Sequence, residues 1–225
     1  MRRTLVTLSA VTLVASGCGG GDGGKQASAK KPKASSKTGC TRVKTPGPKP
    51  DGGQKKPTAK LAPGKTYTVT LQTNCGSFTI QVDQKTSPNG AASFVALARK
   101  GFFDNTTFHR IVPGFVIQGG DPTASGQGGP GYSTRDVPPK GVQYTRGVVA
   151  MAKTEAEASG TAGSQFYVVT GADAGLPPDY APLGKVSKGL PVTAKIDKLG
   201  DPASADTGTP LQPVVIEKAT VAPTG

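Results

Sequence analysis

The chain has no tryptophan, one histidine, three cysteines and two methionines among its 225 residues. With His109 as the sole imidazole and the carboxylates scattered, no metal-ligand cluster of familiar spacing can be drawn. A serine hydrolase would need His109 as its base and a G-x-S-x-G elbow. That elbow is missing, and Gly163-Ser164-Gln165 does not make one. Long hydrophobic runs are also lacking. The apolar stretch at residues 5–14 falls far short of the roughly 20 residues that cross a bilayer. There are no internal repeats.

Acidic residues are few, and the formal net charge is +13. The excess is local: residues 19–64 carry eleven Lys and Arg against two Asp and Glu, whereas residues 65–225 carry fourteen against twelve. The basic segment holds no aromatic side chain on which a base could stack, so no nucleic-acid partner is expected, and the charge suits solvent or an anionic lipid surface. At this length the remainder can bury one core, and one folded domain is expected.

The N-terminus has Arg2 and Arg3, the short apolar run and then small residues, the pattern of a secretory signal over residues 1–17. Ala15-Ser16-Gly17-Cys18 resembles the lipobox of bacterial lipoproteins, with Ala15 where leucine is usual. That resemblance implies a lipid on Cys18, a membrane partner through the anchor and an extracytoplasmic location, or secretion if the box is not used. Cys40 and Cys75 then remain in an oxidising compartment, where pairing is expected. Such a bridge would contribute about 3 to 4 kcal/mol by loop-closure entropy.

Residues 18–64, rich in Gly, Lys, Pro, Ser and Thr, read as a lipidated cysteine and an extended tether, with the domain occupying 65–225. Tyr67, Val69 and Leu71 alternate with threonines, Asn74-Cys75-Gly76 supplies a turn, and Phe78, Ile80 and Val82 alternate again, which predicts a hairpin with one buried face. A helix is predicted after Asn89-Gly90, with Phe94, Leu97 and Ala98 on one face and Gly101 ending it. Short apolar segments at 115–118, 147–152, 165–170 and 213–221 predict further strands. Residues 190–199 predict a second helix, with Pro191 in its first turn and Ile196 facing in. Many short strands and two helices favour a closed antiparallel barrel, mainly β, because closure removes sheet edges.

Two motifs are set aside. Residues 126–131 fit G-x-G-x-x-G, but no strand leads directly in and Pro130 interrupts the string, so no dinucleotide is expected. Asn105-Thr106-Thr107 is a glycosylation sequon that reads as a turn. His109, between Phe108 and Arg110, reads as a hydrogen-bonded structural residue, which turns attention to Arg110.

Taken together, FHRIVPGFVIQGGD from Phe108, GVVAMA from Gly147, GSQFYV from Gly163 and LGKV from Leu183 resemble the cyclophilin family of peptidyl-prolyl cis/trans isomerases over residues 66–222. The resemblance implies an eight-stranded barrel capped by two helices, with a proline pocket on its outer surface. It implies Arg110 as the catalytic residue, and Phe115, Val116, Gln118, Ala152, Gln165, Tyr167, Leu176 and Tyr180 as substrate-binding residues. It implies no cofactor and no metal, a monomer, and proline-containing segments of secreted or envelope proteins as partners. Val116 stands where many members have methionine, Tyr167 where phenylalanine is common, Gly175 where many have tryptophan and Tyr180 where they have histidine. The chain is also a few residues longer between Ala152 and Gly163. A rival reading keeps the groove as a non-catalytic binding module for proline peptides. A third, a transporter's solute receptor, is set aside because those are usually larger and two-lobed.

Overall fold

In the computed structural model, residues 39–204 and 207–224 are described; the signal segment and Cys18 lie outside the described residues. Ten strands and two α-helices follow one another: β1 (Thr66–Thr73), β2 (Gly76–Val82), α1 (Pro88–Arg99), β3 (Thr106–Val112), β4 (Val116–Gly119), β5 (Thr134–Arg135), β6 (Val148–Met151), β7 (Thr161–Ala162), β8 (Phe166–Val169), β9 (Pro182–Lys188), α2 (Leu190–Asp197) and β10 (Val215–Thr224). Eight of the strands close a barrel in the order β1-β10-β3-β4-β8-β6-β9-β2, every pair antiparallel. The short strands β5 and β7 pair by themselves.

The hairpin follows from its alternation. Val69, Leu71, Phe78 and Ile80 are buried inside the barrel, while Thr70 and Thr79 face each other outside and share a hydroxyl hydrogen bond of 2.9 Å. Aromatic rings fill the interior: Phe166 meets Phe94, Phe103 and Phe108 edge to face, with centroids 5.3 to 6.0 Å apart. Edge-to-face pairs add to what area burial alone supplies.

Helix α1 starts with Pro88, whose missing N–H costs nothing in a first turn. Ser87, at the N-cap, makes no capping bond; Asp136, brought in from beyond β5, accepts from the N–H groups of Asn89 and Gly90 at 3.2 and 2.6 Å instead. The helix buries Phe94, Val95 and Leu97, each contributing about 1.5–3 kcal/mol, and Gly101 ends it at φ +66°. Helix α2 ends at Asp197, two residues before the predicted end, where Leu199 N–H turns back onto the carbonyl of Ile196.

The segment read as a tether differs from that reading over residues 39–64. It is irregular and extended, but it lies on the barrel as a strap. Cys40 is buried and disulfide-bonded to Cys75, and Thr41 and Asn74 exchange hydrogen bonds. Lys49 reaches the C-terminal end of α1, where its Nζ donates to the carbonyls of Gly101, Phe102 and Asp104 at 2.6 to 3.2 Å. A cation there also complements the helix dipole. Leu61 packs against the core. Composition alone reads such a segment as solvated because its apolar residues are sparse; the disulfide, backbone bonds and Lys49 hold it where hydrophobic burial would not.

Candidate active site

The strand that matters most is β3, and its sequence breaks the two-residue alternation. Phe108 and Ile111 are both buried inside the barrel, three positions apart. The register explains this: Phe108 pairs with Gly119 and Arg110 with Gln118, so His109 is an extra residue, a β-bulge. The bulge turns Arg110 to the outer wall.

From Arg110 a row of residues crosses four strands on that wall: Arg110 opposite Gln118, Gln118 opposite Tyr167, Tyr167 opposite Ala150. Neighbouring strands lie about 4.8 Å apart, so the row spans roughly 14 Å. Ile117, Val168 and Val149, the inward-facing neighbours, belong to the interior core. A second apolar cluster therefore lies outside the barrel, formed by Val116, Tyr144, Ala150, Tyr167 and Val169, with Phe115, Ala152, Leu176 and Tyr180 packed against it. Six of the eight substrate-binding residues implied by the resemblance belong to this cluster, and Gln118 lies in the row beside it.

Arg110 makes no ion pair with the described residues; its guanidinium lies 5.9 Å from the centre of the Phe115 ring. The two glutamines are joined, Gln118 Nε2 donating to Gln165 Oε1 at 3.0 Å. Beside them a groove of about 480 Å³ runs between the loop of residues 126–133 and residues 152–157. Tyr167 is buried among the rings of Tyr144 and Tyr180, and burial first, then those two phenols, push its pKa upward. Its hydroxyl has no hydrogen-bond partner among the described residues.

His109 is half-buried beside the Gln165 side chain, and neither ring nitrogen meets a described residue in close hydrogen-bond geometry. Burial lowers its pKa most, Arg110 adds to the effect, and Asp121 and a hydrogen bond with the Gln165 side chain oppose it, so the imidazole is neutral near pH 7.

Residues that sequence reasoning passed over support the site. Tyr144, fully buried, accepts from Tyr180 N–H at 3.1 Å and donates to Tyr180 O at 2.6 Å. Asp121 accepts from the N–H groups of Thr123, Gly126 and Gly128 and from the Thr123 hydroxyl. Burial would raise its pKa, but those donors outweigh it and hold the carboxyl below the ordinary range. Lys153 bonds Asp179 at 2.6 Å and lies over the Tyr180 ring. An aspartate before a glycine-rich run was the available signal for Asp121; Tyr144 and Lys153 depend on long-range contacts.

The outer wall of the closed barrel sets a guanidinium and two amides beside an apolar cluster. The family model for cyclophilin type peptidyl-prolyl cis-trans isomerases matches residues 68–221, and the chain belongs to that family. It is 35% identical over 162 residues to peptidyl-prolyl cis-trans isomerase CYP18-2 of Arabidopsis thaliana, covering 70% of this chain and 95% of that one. It is 36% identical over 168 residues to a probable peptidyl-prolyl cis-trans isomerase B of Mycobacterium leprae, covering 68% of this chain and 56% of that one. Among solved structures, the cyclophilin type isomerase of Cryptosporidium parvum superposes with a TM-score of 0.63 at 28% identity, covering 71% of this chain and 99% of that one. The same isomerase in the presence of the dipeptide Ala-Pro gives 0.62 at 28% identity, with 69% and 98% covered.

Proposed function

We propose that this isomerase rotates X-Pro bonds in secreted or envelope proteins, with Arg110 as the catalytic residue and Cys18 as the lipid-bearing anchor. The unassisted rotation crosses about 18 to 20 kcal/mol and takes tens to hundreds of seconds, slow enough to limit folding. No bond forms or breaks, so neither a nucleophile nor a proton carrier is required.

In the planar amide the prolyl nitrogen lone pair is delocalised and accepts hydrogen bonds poorly. Twisting localises it. A guanidinium beside that nitrogen binds the twisted state better than either isomer and lowers the barrier in both directions. The observation that carries this reading is the position of Arg110: without an ion pair among the described residues, facing out beside Phe115, two strands from Tyr167. Its delocalised, permanently charged fork suits the role where a lysine would not.

One charge-assisted hydrogen bond contributes roughly 1.5–3 kcal/mol, too little for several orders of magnitude in rate. The seat supplies the rest. Phe115, Val116, Leu176 and Tyr167 hold the proline ring, with Ala152 and Tyr180 at its edge, while Gln118 and Gln165 hold the backbone, so rotation is confined to one side of the bond. The extracytoplasmic setting rests on the signal-like N-terminus and on the disulfide between Cys40 and Cys75.

The test is a protease-coupled cis-to-trans assay on short X-Pro peptides. Turnover by the wild type that is lost in Arg110→Ala, with the fold retained, supports the mechanism. Peptide binding without acceleration in either protein would make the groove a holding module.

A further inference from the structure

The strap lies outside the family-matched residues 68–221, and its Asp51 lines the groove beside Gln118 and Gln165. Gly52 N–H donates to Gly129 O at 2.9 Å, Gly129 N–H donates to Asp51 Oδ1 at 2.8 Å, and Gln54 N–H donates to Pro130 O at 3.0 Å. The loop so held is glycine-rich, with Gly126 and Gly131 at φ +83° and +86° and open space beside Gly126 and Gly129. Side-chain packing therefore does little to order it, and glycine loses more conformational freedom than any other residue when it is ordered. Asp121 secures the inner side of the loop through Gly126 and Gly128; the strap secures the outer side.

The loop in turn sets the substrate-facing amides. Gln165 Nε2 donates to Gly126 O and Gly128 O, both at 3.0 Å, which orients the carboxamide and presents Oε1 to Gln118 Nε2. That bond leaves Gln118 Oε1 to accept from a peptide N–H. The Gly128–Gly129 peptide group thus links the two sides: its N–H donates to Asp51, its carbonyl accepts from Gln165, and Gln165 in turn accepts from Gln118.

We infer that the strap is a working part of the substrate groove, with Asp51 as a positioning residue that orders the 126–131 loop and so aligns Gln165 and Gln118 for the backbone of an X-Pro segment. The inference rests on the isomerase reading above. Because the glutamines hold the peptide in ground and transition states alike, losing their alignment raises KM and leaves kcat nearly unchanged.

The test compares wild type, Asp51→Ala and Asp51→Asn in the full chain, by cis-to-trans kinetics on X-Pro peptides and by the side-chain amide NMR signals of Gln118 and Gln165. Asp51→Ala should raise KM by about three- to tenfold, with kcat within about twofold and both amide signals moved. Asp51→Asn keeps an oxygen for Gly129 N–H and should match the wild type. An unchanged KM and unmoved signals in Asp51→Ala overturn the inference. Equal rises in KM for both variants also overturn it, because the carboxylate charge would then act on the peptide directly. If the wild type shows no turnover, the proposed catalytic function fails, and the amide signals still decide the role of the strap.

Discussion

Gly208 lies against the aliphatic stem of Arg110: a methyl group built on Gly208 would come within 2.7 Å of Arg110 Cγ. Its carbonyl also accepts from Ile111 N–H at 2.7 Å. The turn carrying Gly208 therefore sets how far the arginine side chain can fold back along β3. Gly208 also sits at φ +70°, a conformation that costs a residue with a Cβ about 1 kcal/mol. Gly208→Ala should leave the barrel folded and lower kcat by roughly ten- to a hundredfold, since small misplacements of a catalytic group act on the rate. Turnover at the wild-type level would mean that the arginine is positioned from elsewhere.

Arg110→Lys should fail to rescue the loss in Arg110→Ala. The ammonium keeps the charge but lacks the planar fork that the proposed mechanism sets beside the prolyl nitrogen. We expect kcat/KM in the lysine variant to remain at least about tenfold below wild type, with peptide affinity nearly intact. Parallel titration and turnover measurements separate the two quantities.

The pH dependence of stability has one imidazole to report, since His109 is the chain's only histidine. Its pKa in the fold lies below the ordinary value near 6.5, so between those two pH values the unfolded chain binds the proton and the folded one does not. Stability from this group is therefore flat above about pH 6.5 and falls as pH drops toward the folded pKa. Asp121, also depressed, contributes stability above its unfolded pKa and loses it only as pH falls through its lower folded value. Thermal melts from pH 7.5 to 5 should show the first decline, and His109→Phe should flatten it.

Reducing the disulfide should cost about 3 to 4 kcal/mol, from the chain entropy of a 35-residue separation. The loss should appear as earlier denaturant unfolding of the whole domain, with amide exchange rising first in residues 39–64. The barrel itself should survive, because its eight strands and their core lie within residues 66–224.

Tyr167→Phe removes a buried hydroxyl without a partner. An unsatisfied buried polar group costs about 1–3 kcal/mol, so the variant should be as stable as the wild type or more so, with turnover retained. A clear loss of stability would indicate that the hydroxyl is bound in solution.

Much of the site was legible because its chemistry is carried by short, ordered strings: FHRIVPGFVIQGGD, GSQFYV and GVVAMA hold Arg110, Phe115, Val116, Gln118, Gln165, Tyr167 and Ala152. Leu176 and Tyr180 followed from their place beyond those strings. The hairpin and both helices were legible from alternation and spacing, because each buries one face at a regular period. Strands β3 and β9 and the β5–β7 pair were not anticipated: the bulge at His109 breaks the alternation of β3, whose Thr106 and Thr107 read as a turn, Pro182 and Gly184 interrupt β9, and two residues carry no periodicity.

The sequence by itself determined which residues alternate into a core, where the turns fall, where the basic charge gathers and which side chains belong to the isomerase strings, since all of these depend on neighbours a few positions apart. The tertiary structure decided the bulge that turns Arg110 outward, the contact with Gly208, the clamp of Tyr144 on Tyr180 and the strap that binds the glycine loop. These depend on backbone register and on contacts between residues 36 to 98 positions apart, and no local pattern encodes the energy of such a contact.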